Sequence, residues 1–440
     1  MDGLSVGEMS AGNEGDSKER NLRVLYLNRI LTSIGDYLVS PFLRVYAVMI
    51  GASTSELGFF TSVSSLSSNV LQIFFGRLTD RLKKRVPLIA ALGIASSLIW
   101  GMVALAKTPE TYIWLIVVRM LLVSALSPAS MALMGDLIPV NGRGVVTASL
   151  NFWTSLGGLA AIVASGIVMT MLGEDSGVFT IPLVSAAALG ILAYVVLLAI
   201  KESPRRVITR RPILDVRSLI ADVNVNPGFR SLCATQALYV LAMSIAWPVF
   251  PVTMVKILNA SMFDVSLASV ASIASSLIAQ RFAGRLCDRV GRKPLITLGR
   301  FSFIFYPVTY MFAPSIYAII AVNFVLGFPS ALFSTALLVF LLDNTADDLR
   351  GELTAFYNLS VGLSGFIGSL VGGMIADYLL ATMGLWEGCA TLYAISAVGR
   401  LCGAYLVYRK LEEPRRYPST LSMELMSLIK RVGDRIKRRV

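Results

Sequence analysis

The chain has 440 residues, of which 55% are hydrophobic and only 15% are charged, and its net charge is +12 at pH 7. Soluble domains carry about 25% charged residues, so this composition excludes a soluble protein, and the recurrence of apolar stretches along the whole chain excludes a soluble protein with one membrane anchor. The basic residues cluster in particular loops, which argues against nucleic acid as a partner, and four scattered cysteines without any histidine predict neither a metal ion nor a cofactor.

Twelve apolar segments are each long enough to cross a bilayer as a helix, which takes about 20 residues. We therefore predict an all-α membrane protein with twelve transmembrane helices. The predicted helices occupy residues 23–49, 55–76, 86–106, 110–133, 145–172, 179–200, 231–257, 263–283, 294–312, 315–341, 351–378 and 385–408.

The chain divides around its long interior polar segment, residues 201–230, which we predict to be a cytoplasmic loop. This loop separates an N-terminal six-helix bundle, residues 23–200, from a C-terminal six-helix bundle, residues 231–408. Residues 1–22 are polar and are predicted to form a disordered cytoplasmic tail. Residues 409–440 place apolar side chains at helical spacing among arginines and lysines, which predicts a basic amphipathic helix on an anionic lipid surface; a solvated, irregular tail is the alternative.

The distribution of lysine and arginine predicts the orientation in the membrane. Residues 77–85, 201–230 and 285–293 are rich in both, whereas alternate loops such as 173–177 contain few. Because cytoplasmic loops carry an excess of positive charge, both termini are predicted to be cytoplasmic.

The two halves of the chain share two motifs. Gly-Arg-Leu-x-Asp-Arg occurs at residues 76–81 and at residues 284–289, an offset of 208 (284 − 76). Arg-Gly-x-x-Thr-Ala-x-x-Asn occurs at residues 143–151 and at residues 350–358, an offset of 207 (350 − 143). Two motifs with nearly one offset indicate an internal repeat, and six helices per repeat give both halves the same orientation, as two parallel bundles.

At the first motif the sequence resembles the major facilitator superfamily. That family's cytoplasmic signature between the second and third helices is Gly-x-x-x-Asp-Arg/Lys-x-Gly-Arg/Lys-Arg/Lys. The resemblance extends over residues 23–408 and implies two six-helix bundles that transport solutes by alternating access. The matching residues are Gly76, Asp80, Arg81, Lys84 and Arg85 in the first half, with Lys83 in place of the family's glycine, and Gly284, Asp288, Arg289, Gly291, Arg292 and Lys293 in the second.

The resemblance also implies a cytoplasmic gate. An aspartate near a helix N-terminus is stabilised by the positive end of the helix dipole. In the family's arrangement such contacts would latch the halves together on the cytoplasmic side; the alternative is that the charges only fix the topology. The expected partners are Arg350 and Gly351, at the start of the eleventh helix, for Asp80, and Arg143 and Gly144, at the start of the fifth, for Asp288.

Two charges inside predicted helices are not repeated. Asp36 lies roughly 20 Å into the first helix, and its counterpart in the second half is Ser244. Arg119 lies near the middle of the fourth helix, and its counterpart is Leu326. Because an isolated charge inside a membrane is costly, we expect this aspartate and this arginine to pair.

We predict that Asp36 is a protonation site and that Arg119 is its partner. Protonation, driven by burial as the cavity closes, would release Arg119 and couple proton movement to solute movement; a static structural salt bridge is the alternative. Arg119 also looks like the arginine of the family's antiporter motif. The glutamine and glycine that usually follow are replaced by Leu122 and Val123, and Ala161-Ile162 replaces the Gly-Pro of the fifth-helix motif.

Other polar residues in the predicted helices have weaker assignments. Arg44, Lys256 and Arg300 lie within two turns of helix ends, so their side chains are predicted to snorkel to the membrane surface, whereas Arg400 lies deeper in the twelfth helix. The residues that could line a substrate path, with packing as the alternative, are Tyr37, Gln72, Tyr239, Trp247, Gln280 and Tyr306.

The function predicted from these features is secondary active transport of a small organic solute, coupled to protons and directed outward as in drug/proton antiport. Proton-coupled uptake of a sugar, organic acid or other nutrient is one alternative, and a sensor or scaffold with a transporter fold is another. The sequence has no Walker motif and no catalytic motif, so we predict neither an ATP-driven pump nor an enzyme. The predicted partners are the solute, protons and membrane lipids, and the predicted state is a monomer in the plasma membrane.

Overall fold

The computed structural model describes residues 5–79, 84–138, 143–173, 177–200, 202, 227–343 and 350–413. All regular secondary structure in these ranges is helical. The α-helices are α1 (Ser5–Val39), α2 (Leu43–Met49), α3 (Thr54–Leu66), α4 (Gln72–Thr79), α5 (Val86–Val103), α6 (Pro109–Leu137), α7 (Arg143–Leu172), α8 (Thr180–Leu197), α9 (Pro227–Ser244), α10 (Val249–Val252), α11 (Met262–Val290), α12 (Arg292–Ser302), α13 (Phe305–Phe312), α14 (Ile316–Asp343), α15 (Arg350–Met383) and α16 (Leu385–Lys410). Two π-helical segments, Ser67–Leu71 and Thr253–Ile257, follow α3 and α10.

Each of the twelve predicted membrane segments contains helix. Within the described ranges, 10 helical spans are long and apolar enough to cross a bilayer. The prediction of an all-α membrane protein is therefore confirmed, while the cytoplasmic placement of the termini stays a prediction.

Four of the predicted membrane helices are interrupted. The first is broken into α1 and α2 at a turn that contains Pro41. The seventh is broken into α9 and α10 at a turn that contains Pro248. Proline lacks the amide hydrogen that would continue the helical hydrogen bonding. The second passes through the π-helical segment Ser67–Leu71, and the ninth breaks after Ser302 into α12 and α13. In a membrane protein such breaks persist where neighbouring helices satisfy the freed backbone groups.

The N-terminal segment differs from the prediction. Residues 1–22 were expected to be disordered, but α1 begins at Ser5 and continues without a break into the first membrane segment. Glu19 and Arg23 form an ion pair of 2.5 Å one helical turn apart, and pairs at this spacing stabilise helices. The predicted amphipathic tail lies almost entirely outside the described residues, because α16 ends at Lys410 and the description ends at residue 413.

Large apolar side chains cover the outside of the described helices. Leu105, Met171 and Tyr317 are among many that are largely exposed. In water such a surface would aggregate, whereas lipid tails solvate it. The surface of the protein therefore agrees with its length and composition in indicating membrane insertion.

The chain forms two compact units. The first comprises Met1–Asp215 with Met254–Leu267, and the second comprises Val216–Thr253 with Ala268–Val440. We call these the first and the second bundle. The predicted linker, residues 201–230, lies mostly outside the described residues.

Each bundle is built on its first helix. In the first bundle, α1 packs against α7 and α8, and α5 packs between α6 and α8. In the second bundle, α9 packs against α15 and α16, and α12 packs against α14. Apolar clusters centred on Leu126 and Leu197 in the first bundle, and on Leu295 and Phe340 in the second, fill the spaces between these helices.

Candidate functional site: an ion pair inside the first bundle

The structure brings together the two unrepeated charges, Asp36 on α1 and Arg119 on α6. An Nη2 nitrogen of Arg119 donates to Oδ1 of Asp36 at 2.6 Å. The two partners differ in exposure: the arginine side chain is 15% exposed and the aspartate side chain 57%. The carboxylate is therefore open to water or to a ligand, whereas the guanidinium is held within the bundle.

A small cavity of about 50 Å³ lies beside this ion pair. Side chains from α1, α5, α6 and α8 form its wall, and several of them are hydroxyl-bearing or aromatic. The lining residues are Thr32, Gly35, Asp36, Ser96, Ser97, Trp100, Arg119, Val123, Leu126, Ala186, Gly190 and Tyr194. The cavity thus offers an exposed carboxylate, hydroxyl groups and ring surfaces to a small polar or aromatic ligand.

Trp100 also contacts Arg119. The guanidinium carbon lies 3.8 Å from the centroid of the indole ring, which is a close cation–π contact. The Nε nitrogen of Arg119 is buried and makes no hydrogen bond in the described structure. Arg119 therefore contacts two side chains of different kinds, a carboxylate and an aromatic ring.

Glycines bring the helices of the site close enough for these contacts. A Cβ atom at Gly93 would overlap the ring of Tyr194, and a Cβ atom at Gly190 would overlap the hydroxyl of Ser97. Close approach of α5 and α8 thus depends on the absence of side chains at these positions. The sequence analysis did not identify four residues of this site: Trp100, Tyr194, Ser96 and Ser97. Their position close to glycines in the sequence is the feature that could have indicated them.

A second charged cluster lies at the start of α5. Nη1 of Arg85, which is almost fully buried, donates to Oδ2 of Asp136 at 2.6 Å. Glu202 accepts hydrogen bonds of 2.8 Å and 3.0 Å from the backbone nitrogens of Arg85 and Val86. A carboxylate in this position satisfies the free amides of the first turn and interacts favourably with the helix dipole.

The same cluster recurs in the second bundle at the start of α12. Nε of Arg292 lies 3.0 Å from Oδ2 of Asp343, and Glu413 accepts from the backbone nitrogens of Arg292 and Lys293 at 3.1 Å and 2.7 Å. The aspartates are 207 residues apart (343 − 136), and so are the arginines (292 − 85).

The structure changes the alignment of the two signatures. When the two halves are aligned by the signature motif, Arg292 corresponds to Lys84. When they are aligned by side-chain contacts, Arg292 corresponds to Arg85. The extra residue of the first half therefore lies between Asp80 and Arg85. Gly291 precedes Arg292 with φ of 93°, which is the left-handed conformation that glycine favours.

The other gate residues are placed only in part. Gly76 packs against Pro128 of α6, and Lys84, Gly284, Asp288 and Arg289 are exposed or partly exposed. Asp288 lies 4.0 Å from Arg292, one turn away on the same stretch of chain, and Lys293 lies over the ring of Tyr408. Asp80 and Arg81, and the side chains of Arg143, Gly144, Arg350 and Gly351, lie outside the described part of the structure. The predicted latch between the halves therefore stays a prediction.

The residues predicted to line a substrate path divide into three groups. Tyr239 is fully buried and donates to the backbone oxygen of Arg300, which agrees with the alternative of packing. Tyr37 packs over Gly158, and Tyr306 packs beside Phe303. Gln280 is exposed, and Gln72 and Trp247 are partly buried.

The predicted snorkelling of Arg300 is wrong. Its residue is 3% exposed, because α12 and its neighbours α9 and α14 enclose the side chain. Arg400, which lies on α16, is 2% exposed. Both arginines therefore lie inside the second bundle rather than at its surface.

Two helical units with lipid-compatible surfaces, and a polar cavity with an ion pair inside one of them, define a multi-pass membrane transporter. A family model described as the Major Facilitator Superfamily matches residues 25–231 and, a second time, residues 232–436. The chain belongs to the major facilitator superfamily and is a secondary transporter of small solutes in the cell membrane.

Relatives of similar length include the multidrug resistance protein MdtG of two species. The protein from Escherichia fergusonii is 24% identical over 400 residues, which cover 88% of this chain and 95% of the relative. The protein from Escherichia coli (strain 55989 / EAEC) is 25% identical over 373 residues, which cover 81% of this chain and 88% of the relative.

Solved structures share the fold. The nucleoside transporter NupG superposes with a TM-score of 0.69 at 14% identity, covering 90% of this chain and 99% of that one. A D-xylose-proton symporter superposes with a TM-score of 0.63 at 17% identity, covering 91% of this chain and 99% of that one. At these identities the likeness concerns the fold alone.

Proposed function

We propose that this protein exports small organic solutes from the cell in exchange for protons, with Asp36 as the protonation site and Arg119 as its partner. The observation that carries the proposal is the 2.6 Å ion pair between these residues, beside a cavity whose wall includes the membrane-spanning helices α5, α6 and α8. Charges inside a membrane are costly and are retained mainly where function requires them.

The unequal exposure of the two partners supports this role. Asp36 can exchange protons with water because more than half of its side chain is exposed, while Arg119 stays fixed on Trp100. When Asp36 is protonated, it no longer attracts the guanidinium, and the cavity becomes more positive by one charge. A proton and a cationic or neutral solute would then compete for the same carboxylate, which is the basis of an exchange reaction.

Export rather than uptake is supported by the names of the relatives. Both are called multidrug resistance proteins, and both align with this chain over most of their length. In this proposal the protein performs no covalent chemistry, acts as a monomer, and binds anionic lipids through its basic C-terminal tail.

The experiment that tests the proposal measures proton flux in liposomes that contain the purified protein and a pH-sensitive dye. A panel of cationic, neutral and anionic drugs is added under an imposed proton gradient. Wild-type protein is expected to move protons opposite to the solute, and Asp36→Asn is expected to reduce solute-dependent proton flux to the level of liposomes without protein.

Glu110→Gln is the matched control, because Glu110 is an exposed carboxylate on the same helix as Arg119. This variant should retain the wild-type flux. Full coupled flux in Asp36→Asn would refute the role of the ion pair, and flux in the same direction as the solute would replace export by uptake.

A further inference from the structure

The second bundle contains two fully buried arginines without a described counter-charge. No ion pair in the described structure involves Arg300 or Arg400, although the bundle's other buried arginine, Arg292, pairs with Asp343. Each unpaired cation inside a low-dielectric bundle carries a large desolvation cost. Other groups must therefore offset this cost for each of the two arginines.

Each of the three guanidinium nitrogens of Arg400 has a hydrogen-bond acceptor. Its Nε donates to Oγ of Ser396 at 3.2 Å, Nη1 donates to the backbone oxygen of Phe303 at 2.6 Å, and Nη2 donates to that of Met243 at 3.2 Å. These contacts join α16 to α9 and to the break after α12. The role of Arg400 is therefore structural.

Arg300 is placed differently. Its guanidinium lies close to two aromatic rings, 4.1 Å from the centroid of Tyr239 and 4.2 Å from that of Phe333. Contacts of this kind leave the N–H groups at the edge of the guanidinium to bind acceptors. On that edge Nη2 donates to Oε1 of Gln236, and Nε is buried without any hydrogen-bond partner.

Two further polar atoms near Arg300 are buried and unsatisfied. One is Nε2 of Gln236, whose amide already contacts the guanidinium, and the other is Oγ1 of Thr297, one turn earlier on the same face of α12. Three such atoms in one cluster are unusual, because buried polar groups are nearly always paired. Two of the three are nitrogens that can only donate, and the hydroxyl can also donate.

We propose that Arg300, Gln236 and Thr297 form a binding site inside the second bundle for one small, singly charged anionic group. The group is either a free halide ion or the ionised carboxylate of a transported solute. An anion supplies what the cluster lacks, namely hydrogen-bond acceptors and a negative charge, whereas a water molecule supplies acceptors only. The inference does not depend on proton coupling at Asp36.

The test measures the melting temperature of the purified full-length protein while chloride replaces isethionate, a bulky anion, at constant pH and ionic strength. A ligand that binds the folded state stabilises it in a saturable manner. We expect chloride to raise the melting temperature of the wild type by at least about 2 °C.

Arg300→Gln should abolish the increase, and Thr297→Val should raise the half-saturating chloride concentration about tenfold. Arg281→Gln, which removes an exposed arginine of α11, is the control and should respond like the wild type.

A second arm distinguishes the two sources of the anionic group. In isethionate, benzoate and the neutral benzamide are compared as stabilising ligands. If benzoate stabilises the protein, benzamide and chloride do not, and Thr297→Val weakens the effect of benzoate, the site binds a solute carboxylate. If chloride stabilises the protein, the site binds the free ion.

The proposal is overturned if neither chloride nor benzoate stabilises the wild type, or if Arg300→Gln responds as Arg281→Gln does. Should Arg300→Gln fail to fold, an unchanged half-saturating concentration in Thr297→Val overturns it instead. Because no proton gradient is used, this result is independent of the outcome for Asp36.

Discussion

At the scale of single residues, the informative charges are those that break the internal repeat. Asp36 and Arg119 could be selected from the sequence because their counterparts are Ser244 and Leu326, and the structure brings them to 2.6 Å. Trp100 could not be selected, because tryptophans in membrane helices are usually packing or interfacial residues. Its role follows only from the 3.8 Å contact with the guanidinium.

The contact between Trp100 and Arg119 predicts an effect on the pH dependence of transport. The indole contacts Arg119 while the arginine is paired with Asp36, and in the proposed mechanism it becomes the main partner of Arg119 once Asp36 is protonated, so loss of the ring should destabilise the protonated state more than the paired state. A cation–π contact contributes about 0.5–1 kcal/mol. In Trp100→Leu, the pH midpoint of solute-driven proton flux should therefore move down, by at most about half a pH unit.

Trp100→Phe is the matched variant, because a phenyl ring keeps part of the cation–π attraction. Its midpoint should lie between those of the wild type and Trp100→Leu, in the same liposome assay. An unchanged midpoint in both variants would mean that Trp100 only packs against Arg119 and does not stabilise its released state.

At the scale of elements, apolar length predicts where helices occur but not where they break. The π-helical segment Ser67–Leu71 carries no sequence signal of its own, whereas the break after Ser302 is followed by Pro307, which cannot donate an amide hydrogen to the carbonyl of Phe303. Such features depend on which neighbouring groups accept the freed backbone hydrogen bonds. Likewise, α1 begins at Ser5, within the segment that the sequence predicts to be a disordered tail, because a helix can extend cooperatively from a neighbouring formed segment.

The capping of α12 gives a test at this scale, because two adjacent glutamates differ in their contacts. Comparison of Glu202-x-Pro with Glu412-x-Pro suggests Glu412 as the equivalent of Glu202. In the structure Glu413 instead accepts from the first amides of α12, while Glu412 is exposed. Glu413→Gln should therefore lower the melting temperature by about 1–3 °C, as loss of a charged helix cap does.

Glu412→Gln removes the same charge one residue away and serves as the control. Its melting temperature should equal that of the wild type within the error of a fluorescence melt. Equal decreases in the two variants would show that net charge near the start of α12, rather than the hydrogen bonds of Glu413, stabilises the helix.

At the scale of the whole molecule, repeated and unrepeated residues serve different purposes. The clusters Arg85–Asp136 and Arg292–Asp343 occur once in each bundle and hold the same helices together. The position of Arg300 in the second bundle corresponds to Gly93 in the first, at the offset of 207 (300 − 93). Gly93 thus leaves space for the ring of Tyr194, whereas Arg300 at the equivalent position is a buried charge.

This asymmetry predicts that the two bundles carry separable activities. The ion pair between Asp36 and Arg119 lies wholly in the first bundle, and the unsatisfied cluster around Arg300 lies wholly in the second. Changes at sites that share no contact are usually additive to within about 0.5 kcal/mol. Asp36→Asn should therefore keep the full chloride-dependent rise in melting temperature, and Arg300→Gln should keep proton flux driven by neutral solutes. If Asp36→Asn abolished the chloride response, the anion and the proton would be linked through one conformational equilibrium, and the protein would couple three species rather than two.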